Sequence, residues 1–231
     1  MLHVDENGIL QPLGVKVLRD SREELLPATR DYVEVIPGMD GEYDFGCDLE
    51  SRILELHCAL NCSRSERKIK RREIAKYLNP LLGKQTITFA DDPNIVWIGR
   101  YAGSIDITTY LDGMEFTIPF KCEPYLTSST QKSLKGSGVA LNEGSVETPF
   151  YLYIPGAITN PEVTVNGETM IYTGVVLKGN TLYVDTARQV VTINDINGIA
   201  NYNCVFPKLQ VGENNIIAPD SATITWIERW I

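Results

Sequence analysis

Short runs in which apolar and polar side chains alternate are the feature that most limits what this chain can fold into. They occur at residues 13–19, 32–36 and 52–60, and further strand-like runs follow at residues 85–89, 95–101 and 114–122. In residues 52–60, Leu54, Leu56, Cys58 and Leu60 share one face. Alternation with a period of two, bounded by turn residues, is typical of antiparallel strands that bury one face. The sequence therefore predicts a mainly β fold.

Residues 63–82 depart from this alternation and predict one amphipathic helix. Their apolar side chains recur mostly at three- and four-residue steps: Ile69, Ile74, Tyr77, Leu78, Leu81 and Leu82. Ser63 followed by Glu66 predicts a capping box at the start, and Gly83 supplies a stop. Pro80 is expected to end or bend the helix one turn early. We expect the helix around residues 69–82, with the strands beside it, to hold the core of the N-terminal half.

The composition changes between the two halves of the chain. Residues 126–144 are rich in Ser, Thr and Gly and poor in apolar side chains, which is typical of a linker. The sequence therefore predicts an N-terminal β-sandwich or barrel-like domain at residues 1–128, with one α-helix. A linker at residues 129–144 and a C-terminal β-sandwich domain at residues 145–231 complete the predicted organisation.

The C-terminal half reads as short strands joined by tight turns. The strands are predicted at residues 150–154, 162–165, 169–172, 181–185, 190–193, 215–218 and 223–230. Hairpin-type turns are predicted at Asn166-Gly167, at residues 178–180 and at Asn197-Gly198. Strands at such close spacing indicate a jelly-roll or lectin-like sandwich. The last strand is expected to run to the C-terminal residue, with Trp226 and Trp230 anchoring its packing.

The charge of the chain excludes some classes of partner. A formal net charge of −9, from 21 basic and 30 acidic residues, disfavours binding to nucleic acid or to anionic lipid. The basic cluster at residues 64–72 is a local exception, which we interpret as a solvated helix face or a subunit contact. No signal peptide is recognisable, and no apolar run approaches the ~18 residues that span a bilayer. We therefore expect assembly in the cytoplasm, without a membrane partner.

No residue is assigned a catalytic, cofactor-binding or metal-binding role. The odd set of cysteines (Cys47, Cys58, Cys62, Cys122 and Cys204) lacks zinc-ligand spacing and predicts reduced thiols. Nucleophile and phosphate-binding motifs are missing, His57 lies in a predicted strand, and His3 lies in a predicted mobile tail. We therefore expect neither enzymatic activity nor a cofactor.

Neither of two groups of carboxylates is interpreted as a functional site. Asp91 and Asp92 precede Pro93, and this order favours a β-turn over acid–base chemistry. The acids in residues 40–48 lack the pattern of a calcium-binding EF-hand loop. We interpret them as the solvated tip of a hairpin.

Several segments, taken in order, resemble the distal tail protein family of long-tailed bacteriophages. They are residues 33–41 with their Pro-Gly and Asp-Gly turn, the helix after Cys62, and residues 87–93, 116–125, 159–161 and 206–214. One departure is Glu123, where family members often have Asp before a Pro-Tyr pair.

This resemblance implies a structural protein of a virion or prophage. It implies a hexameric ring that joins the tail tube to the tail-tip or baseplate, with N-terminal domains closing the ring and galectin-like C-terminal domains facing outward. The implied partners are other copies of the chain, the tail tube protein, the tail-associated tip protein and receptor-binding proteins, while DNA only passes through the channel.

A carbohydrate-binding module is the alternative. The C-terminal half contains seven aromatic residues that could stack on sugars: Tyr151, Tyr153, Tyr172, Tyr183, Tyr202, Trp226 and Trp230. Sugar binding predicts an exposed aromatic patch beside Asn or Asp, whereas core packing predicts buried rings.

Overall fold

The computed structural model describes residues 1–22 and 26–231. These residues divide into two compact units, the first formed by Met1–Leu126 with Ile231 and the second by Thr127–Trp230. Both units consist mainly of strands. The prediction of a mainly β fold is therefore confirmed.

The first unit is a closed barrel with an attached hairpin and helix. Its strands are β1 (Leu2–Val4), β2 (Ile9–Gln11), β3 (Val15–Asp20), β4 (Thr29–Glu34), β5 (Tyr43–Leu49), β6 (Arg52–Asn61), β7 (Gln85–Phe89), β8 (Asp92–Tyr101), β9 (Ile107–Thr109) and β10 (Gly113–Cys122). The sheet order is β8-β7-β1-β2-β3-β6-β10, and β10 pairs again with β8 to close the barrel. β9 extends β10, while β4 and β5 form a sheet of their own. His3, predicted to lie in a mobile tail, instead lies in β1 between β2 and β7.

The core of the barrel follows the alternation that the sequence predicts. Leu54, Leu56 and Cys58 of β6 are buried, whereas Ile53, which precedes them on the opposite face of the strand, is exposed. β10 runs antiparallel along the whole of β6 and buries every second residue from Met114 to Cys122. Each large aliphatic or aromatic side chain buried in this way stabilises the fold by about 1.5–3 kcal/mol.

The predicted helix is shorter than expected and contributes little to this core. The helix α1 spans Arg67–Tyr77, and Asn79 and Pro80 then lead into a short 3₁₀ turn at Pro80–Leu82, so the effect predicted for Pro80 is confirmed. The capping box is only half formed, because the Glu66 carboxylate accepts from Ser63 but no side chain caps the first turn.

The apolar face that we expected along the helix is largely exposed. Ile74 and Leu78 are buried, whereas four other members of the predicted face lie in solvent: Ile69, Tyr77, Leu81 and Leu82. A closed barrel fills its interior with its own strand residues, so it needs no helix to cover an open face.

The second unit contains two large sheets that share one core, together with a small two-stranded sheet. The strands that follow in the chain are β11 (Leu126–Ser128), β12 (Lys132–Lys135), β13 (Gly138–Asn142), β14 (Phe150–Pro155), β15 (Ile158–Thr159), β16 (Glu162–Val165), β17 (Glu168–Ile171), β18 (Val175–Val176), β19 (Thr181–Asp185), β20 (Val190–Ile193), β21 (Ile196–Asn197), β22 (Gly212–Ile217), β23 (Thr223–Trp226) and β24 (Arg229–Trp230). One sheet has the order β12-β23-β14-β19-β20-β21 and the other β13-β22-β16-β17. Alternate residues of both sheets bury their side chains in a single cluster.

The predicted linker at residues 129–144 is wrong, because β12 and β13 lie inside it. β12 pairs with β23, and β13 pairs with β22, one in each sheet. The buried Glu228 carboxylate accepts from Lys132 Nζ at 2.8 Å and from the Glu143 backbone N–H at 2.6 Å. Edge strands need few apolar residues because much of their surface faces solvent, so their composition resembles that of a linker.

Two further predictions for the second unit need correction. The hairpin between β20 and β21 turns at Asn194 and Asp195, both with positive φ, and not at Asn197-Gly198. The C-terminal strand is interrupted between β23 and β24, so Trp226 is buried but Trp230 only partly so. The turn at Asn166-Gly167 is confirmed, since both residues have the positive φ of a type I′ hairpin.

Candidate assembly surfaces

The two histidines take part in strand-to-strand hydrogen bonds. His3 Nδ1 lies 2.9 Å from Thr88 Oγ1, and His57 Nδ1 lies 2.7 Å from Thr117 Oγ1. Arg19 donates to His57 Nε2 at 3.3 Å. In both cases the nearest polar partner of the imidazole is a threonine hydroxyl on a paired strand, and this arrangement ties strands of the barrel together.

The pair of adjacent acids ends a turn, as the sequence predicts. Asp91 lies in the turn between β7 and β8, and Asp92 begins β8. Asp91 accepts two hydrogen bonds from the Arg22 guanidinium, at 2.7 and 2.8 Å, and this contact lowers the pKa of its carboxyl group. Arg22 in turn lies 3.8 Å from the centre of the Phe89 ring. Asp91 is therefore held in an ion pair that fixes the turn.

The five cysteines are all free thiols, and none of them is paired. Burial raises the pKa of Cys58 and of Cys122 to about 12, so these thiols stay protonated. Cys47 on β5 and Cys204 in the second unit are exposed. Among the described residues, no group of three or more His, Cys, Asp or Glu side chains is arranged to hold a metal ion.

The β4–β5 hairpin is exposed on both faces. We call residues 29–49 the acidic hairpin, since they contain six carboxylates and one arginine, for a net charge of −5. From residue 29 to residue 48 every side chain except Met39 is exposed. Its largest apolar side chains in solvent are Phe45 (72% exposed) and Val35 (69%). The acids of residues 40–48 are exposed, as predicted, but only Asp40 and Glu42 lie at the tip of the hairpin, whereas Asp44 and Asp48 lie in β5. Asp48 accepts from the Tyr32 hydroxyl at 2.7 Å.

The helix α1 presents a surface of the opposite charge. We call residues 64–76 the basic helix surface, because they contain seven Lys or Arg side chains and two Glu, for a net charge of +5. Lys70 pairs with Glu73 at 2.8 Å, and Arg67 donates to the Tyr110 and Leu111 carbonyl oxygens. The remaining five cations point into solvent: Arg64, Lys68, Arg71, Arg72 and Lys76.

An apolar groove runs along the base of this helix. It has a volume of about 360 Å³ and is lined mainly by Ile74, Leu78, Pro80, Tyr101, Ile107 and Phe116. Leu81 and Leu82, 90% and 65% exposed, follow Pro80 in the 3₁₀ turn. Sequence reasoning missed this groove because it treated the apolar residues of 69–82 as core, although Pro80 separates Leu81 and Leu82 from the helix.

The aromatic residues of the second unit separate into two groups. Tyr172, Tyr202 and Trp226 are buried, as core packing predicts. Tyr151, Tyr153 and Tyr183 instead form a row on the outer face of the six-stranded sheet, with ring centres 6.1 Å apart for Tyr151–Tyr183 and 5.2 Å for Tyr153–Tyr183. Partial burial raises the pKa of Tyr183 to about 12. We call these three residues the tyrosine row.

Two family models match the chain one after the other. The first, described as a phage tail protein RIFT-related domain, matches residues 10–122. The second, described as the C-terminal domain of a siphovirus-type tail component, matches residues 143–230. No curated protein matches the chain. The two models cover most of the first and second units respectively.

Solved structures of phage proteins are similar to the chain. The SPP1 Dit protein, described as a paradigm of the hub adsorption apparatus in phages that infect Gram-positive bacteria, has a TM-score of 0.75 at 19% identity, over 94% of each chain. A chain of the phage P2 baseplate in its activated conformation with Ca has a TM-score of 0.43 at 10% identity, over 93% of this chain and 90% of that chain. The similarity to SPP1 Dit establishes a common fold.

Proposed function

The chain belongs to the siphovirus distal tail protein family, a family of structural tail components, and from this premise we propose that it forms the ring that joins the tail tube to the tip of the tail. In this proposal the ring is hexameric, and the protein acts through its interfaces without catalysing a reaction. Its neighbours are the tail tube protein, the tail-associated tip protein and receptor-binding proteins.

The observation that carries the proposal is the pair of uncovered surfaces on the first unit. The acidic hairpin exposes apolar side chains on both faces, and the apolar groove beside α1 is open. Large exposed apolar patches usually mark interaction sites. Because the two surfaces differ from each other, a contact between them would be head-to-tail, and such contacts generate closed rings when the rotation between copies closes.

The net charge suits a passage for DNA. Six copies carry a formal charge of −54, six times the −9 of one chain. A wall of the same sign as the phosphate backbone attracts no DNA, so the genome can slide past it without binding. Among the described residues no helix is long and apolar enough to cross a membrane.

The native mass of the purified protein, measured by light scattering on a sizing column, tests the proposal. A hexamer gives about 155 kDa, six times the 25.8 kDa of one chain. Electron microscopy should then show rings, and addition of purified tail tube protein should give a larger complex. A chain that stays monomeric at every concentration, both alone and with tube protein, would contradict the proposal.

The tyrosine row supports a second candidate function, the binding of a cell-surface polysaccharide by the second unit. Sugar rings stack on exposed aromatic faces, and Tyr153 is 37% exposed in the middle of the sheet. The row is flanked by Thr223 on β23 and by Thr192 on β20, which offer hydroxyl groups. Binding to purified host cell wall that is lost in Tyr153→Ala, but kept in the control Tyr172→Phe, would support this candidate.

A further inference from the structure

The first unit carries two surfaces of equal and opposite charge. The acidic hairpin has a net charge of −5 and the basic helix surface a net charge of +5, within a chain whose total is −9. Opposite charges on one chain usually pair within the fold when they are near each other. Here they occupy separate elements, β4–β5 and α1, that belong to no common sheet or helix pair.

Most of these charges lack a partner of opposite sign within the described part of the chain. On the hairpin, Asp31, Glu34, Asp40, Glu42 and Asp44 form no ion pair with any described residue. On the basic helix surface the same is true of Arg64, Lys68, Arg71, Arg72 and Lys76. Five carboxylates and five cations are therefore free to pair between copies.

Apolar side chains accompany the charges on both surfaces. The hairpin exposes Phe45 and Val35, while the groove beside α1 offers about 360 Å³ lined by aliphatic and aromatic residues. Interfaces generally combine an apolar centre with a polar rim, and large aromatic side chains that fill pockets contribute most of the binding energy. A hairpin that presents aromatic side chains among carboxylates matches an apolar groove whose lining includes the cation of Arg71.

We infer that the acidic hairpin of one copy of this chain docks on the basic helix surface of the next copy and fills the apolar groove beside α1. The inference rests on the proposed self-assembly and specifies its contact. The carboxylates of the hairpin face the five free cations of the basic helix surface, and apolar side chains of the hairpin enter the groove. Each copy donates one hairpin and accepts one, so the contact is head-to-tail and repeats around a ring.

Charge reversal tests the pairing. The hairpin variant replaces Asp31, Glu34, Asp40 and Glu42 with Lys, which changes the hairpin from −5 to +3, since each replacement adds two charges. The helix variant replaces Arg64, Lys68, Arg71 and Arg72 with Glu, which changes the helix surface from +5 to −3. All eight side chains are exposed, so both variants should fold, as circular dichroism and thermal melting will verify.

Each variant alone places like charges across the contact, and its self-association should weaken at least ~100-fold. An equimolar mixture of the two variants restores opposite charges at every contact, because the basic hairpin meets the acidic helix and the acidic hairpin meets the basic helix. The mixture should therefore recover the native mass as an alternating ring. Association of the wild type should also weaken as NaCl is raised from about 50 mM to about 500 mM.

Crosslinking locates the contact and gives its symmetry. In a Cys204→Ser background, Cys47 is the exposed thiol of the hairpin, and Ala75→Cys adds one at the rim of the groove. A short bifunctional maleimide should produce a ladder of linked chains, whereas the control Glu6→Cys, on an exposed turn of the same unit, should not.

The outcomes of these experiments distinguish a failure of the inferred contact from a failure of the proposed ring. If both charge variants keep the native mass of the wild type, or if the Ala75→Cys protein forms no crosslink while it is oligomeric, the contact is wrong and the ring stands. Crosslinks that stop at dimers would mean a two-fold contact and would also overturn the inference. A wild type that never associates would overturn both the contact and the proposed ring.

Discussion

Two antiparallel strand pairs in the first unit have similar sequence patterns and opposite surroundings. β6 and β10 alternate apolar and polar residues and bury one face completely, with Leu54, Leu56 and Ile118 at 0% exposure. β4 and β5 also contain apolar residues at regular intervals, yet Val33 and Phe45 lie in solvent. Alternation therefore predicts that a strand forms, but one face of the strand is buried only where other elements pack against it. The hairpin resembles half of an interface that another molecule completes.

The comparison predicts that large-to-small substitutions differ sharply between the two pairs. Leu56→Ala leaves a cavity in the barrel and should lower the free energy of unfolding by about 3 kcal/mol. Phe45→Ala removes a larger side chain from solvent and should change the free energy of unfolding by less than ~0.5 kcal/mol. Urea denaturation of both variants at a concentration where the protein is monomeric measures the difference. Equal losses would mean that the hairpin packs on its own chain.

Closure of the barrel provides a second test, with a somewhat smaller effect. Gly99 lies where β8 meets β10, and an added Cβ would come within 2.5 Å of Cys122 Sγ and 3.0 Å of the Lys121 carbonyl oxygen. Gly99→Ala should therefore destabilise the first unit by about 1–3 kcal/mol through overpacking. Thermal melting of Gly99→Ala beside the exposed control Ala75→Ser will show whether the two strands are in contact in solution. An unchanged melting temperature would contradict the closed barrel.

The sequence was sufficient to predict what local pattern determines. The buried and exposed faces of β6 follow from the alternation of its side chains. The end of α1 before Pro80 follows from the geometry of the proline ring, and the I′ turn at Asn166 follows from the φ preference of its residues. It failed where tertiary context decides. Residues 132–142 form edge strands although their composition is that of a linker, and Leu81 and Leu82 are exposed although they continue an apolar pattern. The sequence shows a basic helix and an acidic hairpin, but it does not show that the fold leaves both uncovered. The assembly surfaces were therefore only partly predicted.

The failed linker prediction leads to a third test. If β12 is part of the second unit, the contact of Lys132 with the buried Glu228 contributes to its stability. Lys132→Ala leaves that carboxylate without its cation and should cost about 1–3 kcal/mol. Lys135→Ala, on an exposed position of the same strand, should cost less than ~0.5 kcal/mol. If urea denaturation shows that both variants leave the free energy of unfolding almost unchanged, residues 129–144 would again be interpreted as a linker.

The smallest expected effect is a change in the pKa of Tyr32, which reports whether the hairpin is already formed before assembly. The hydrogen bond that the Tyr32 hydroxyl donates to Asp48 raises the pKa of Tyr32 above its ordinary value, because the bond exists only in the protonated form. Asp48→Asn should therefore lower the pKa of Tyr32 toward that value, as followed by NMR of carbon-labelled tyrosine. The bond stabilises the hairpin below the unfolded pKa of about 10, and this contribution is lost as the pH rises through the folded value. A Tyr32 that titrates at the ordinary value in the monomer, with or without Asp48, would mean that the strands pair only on the next copy, so that docking and hairpin formation are one event.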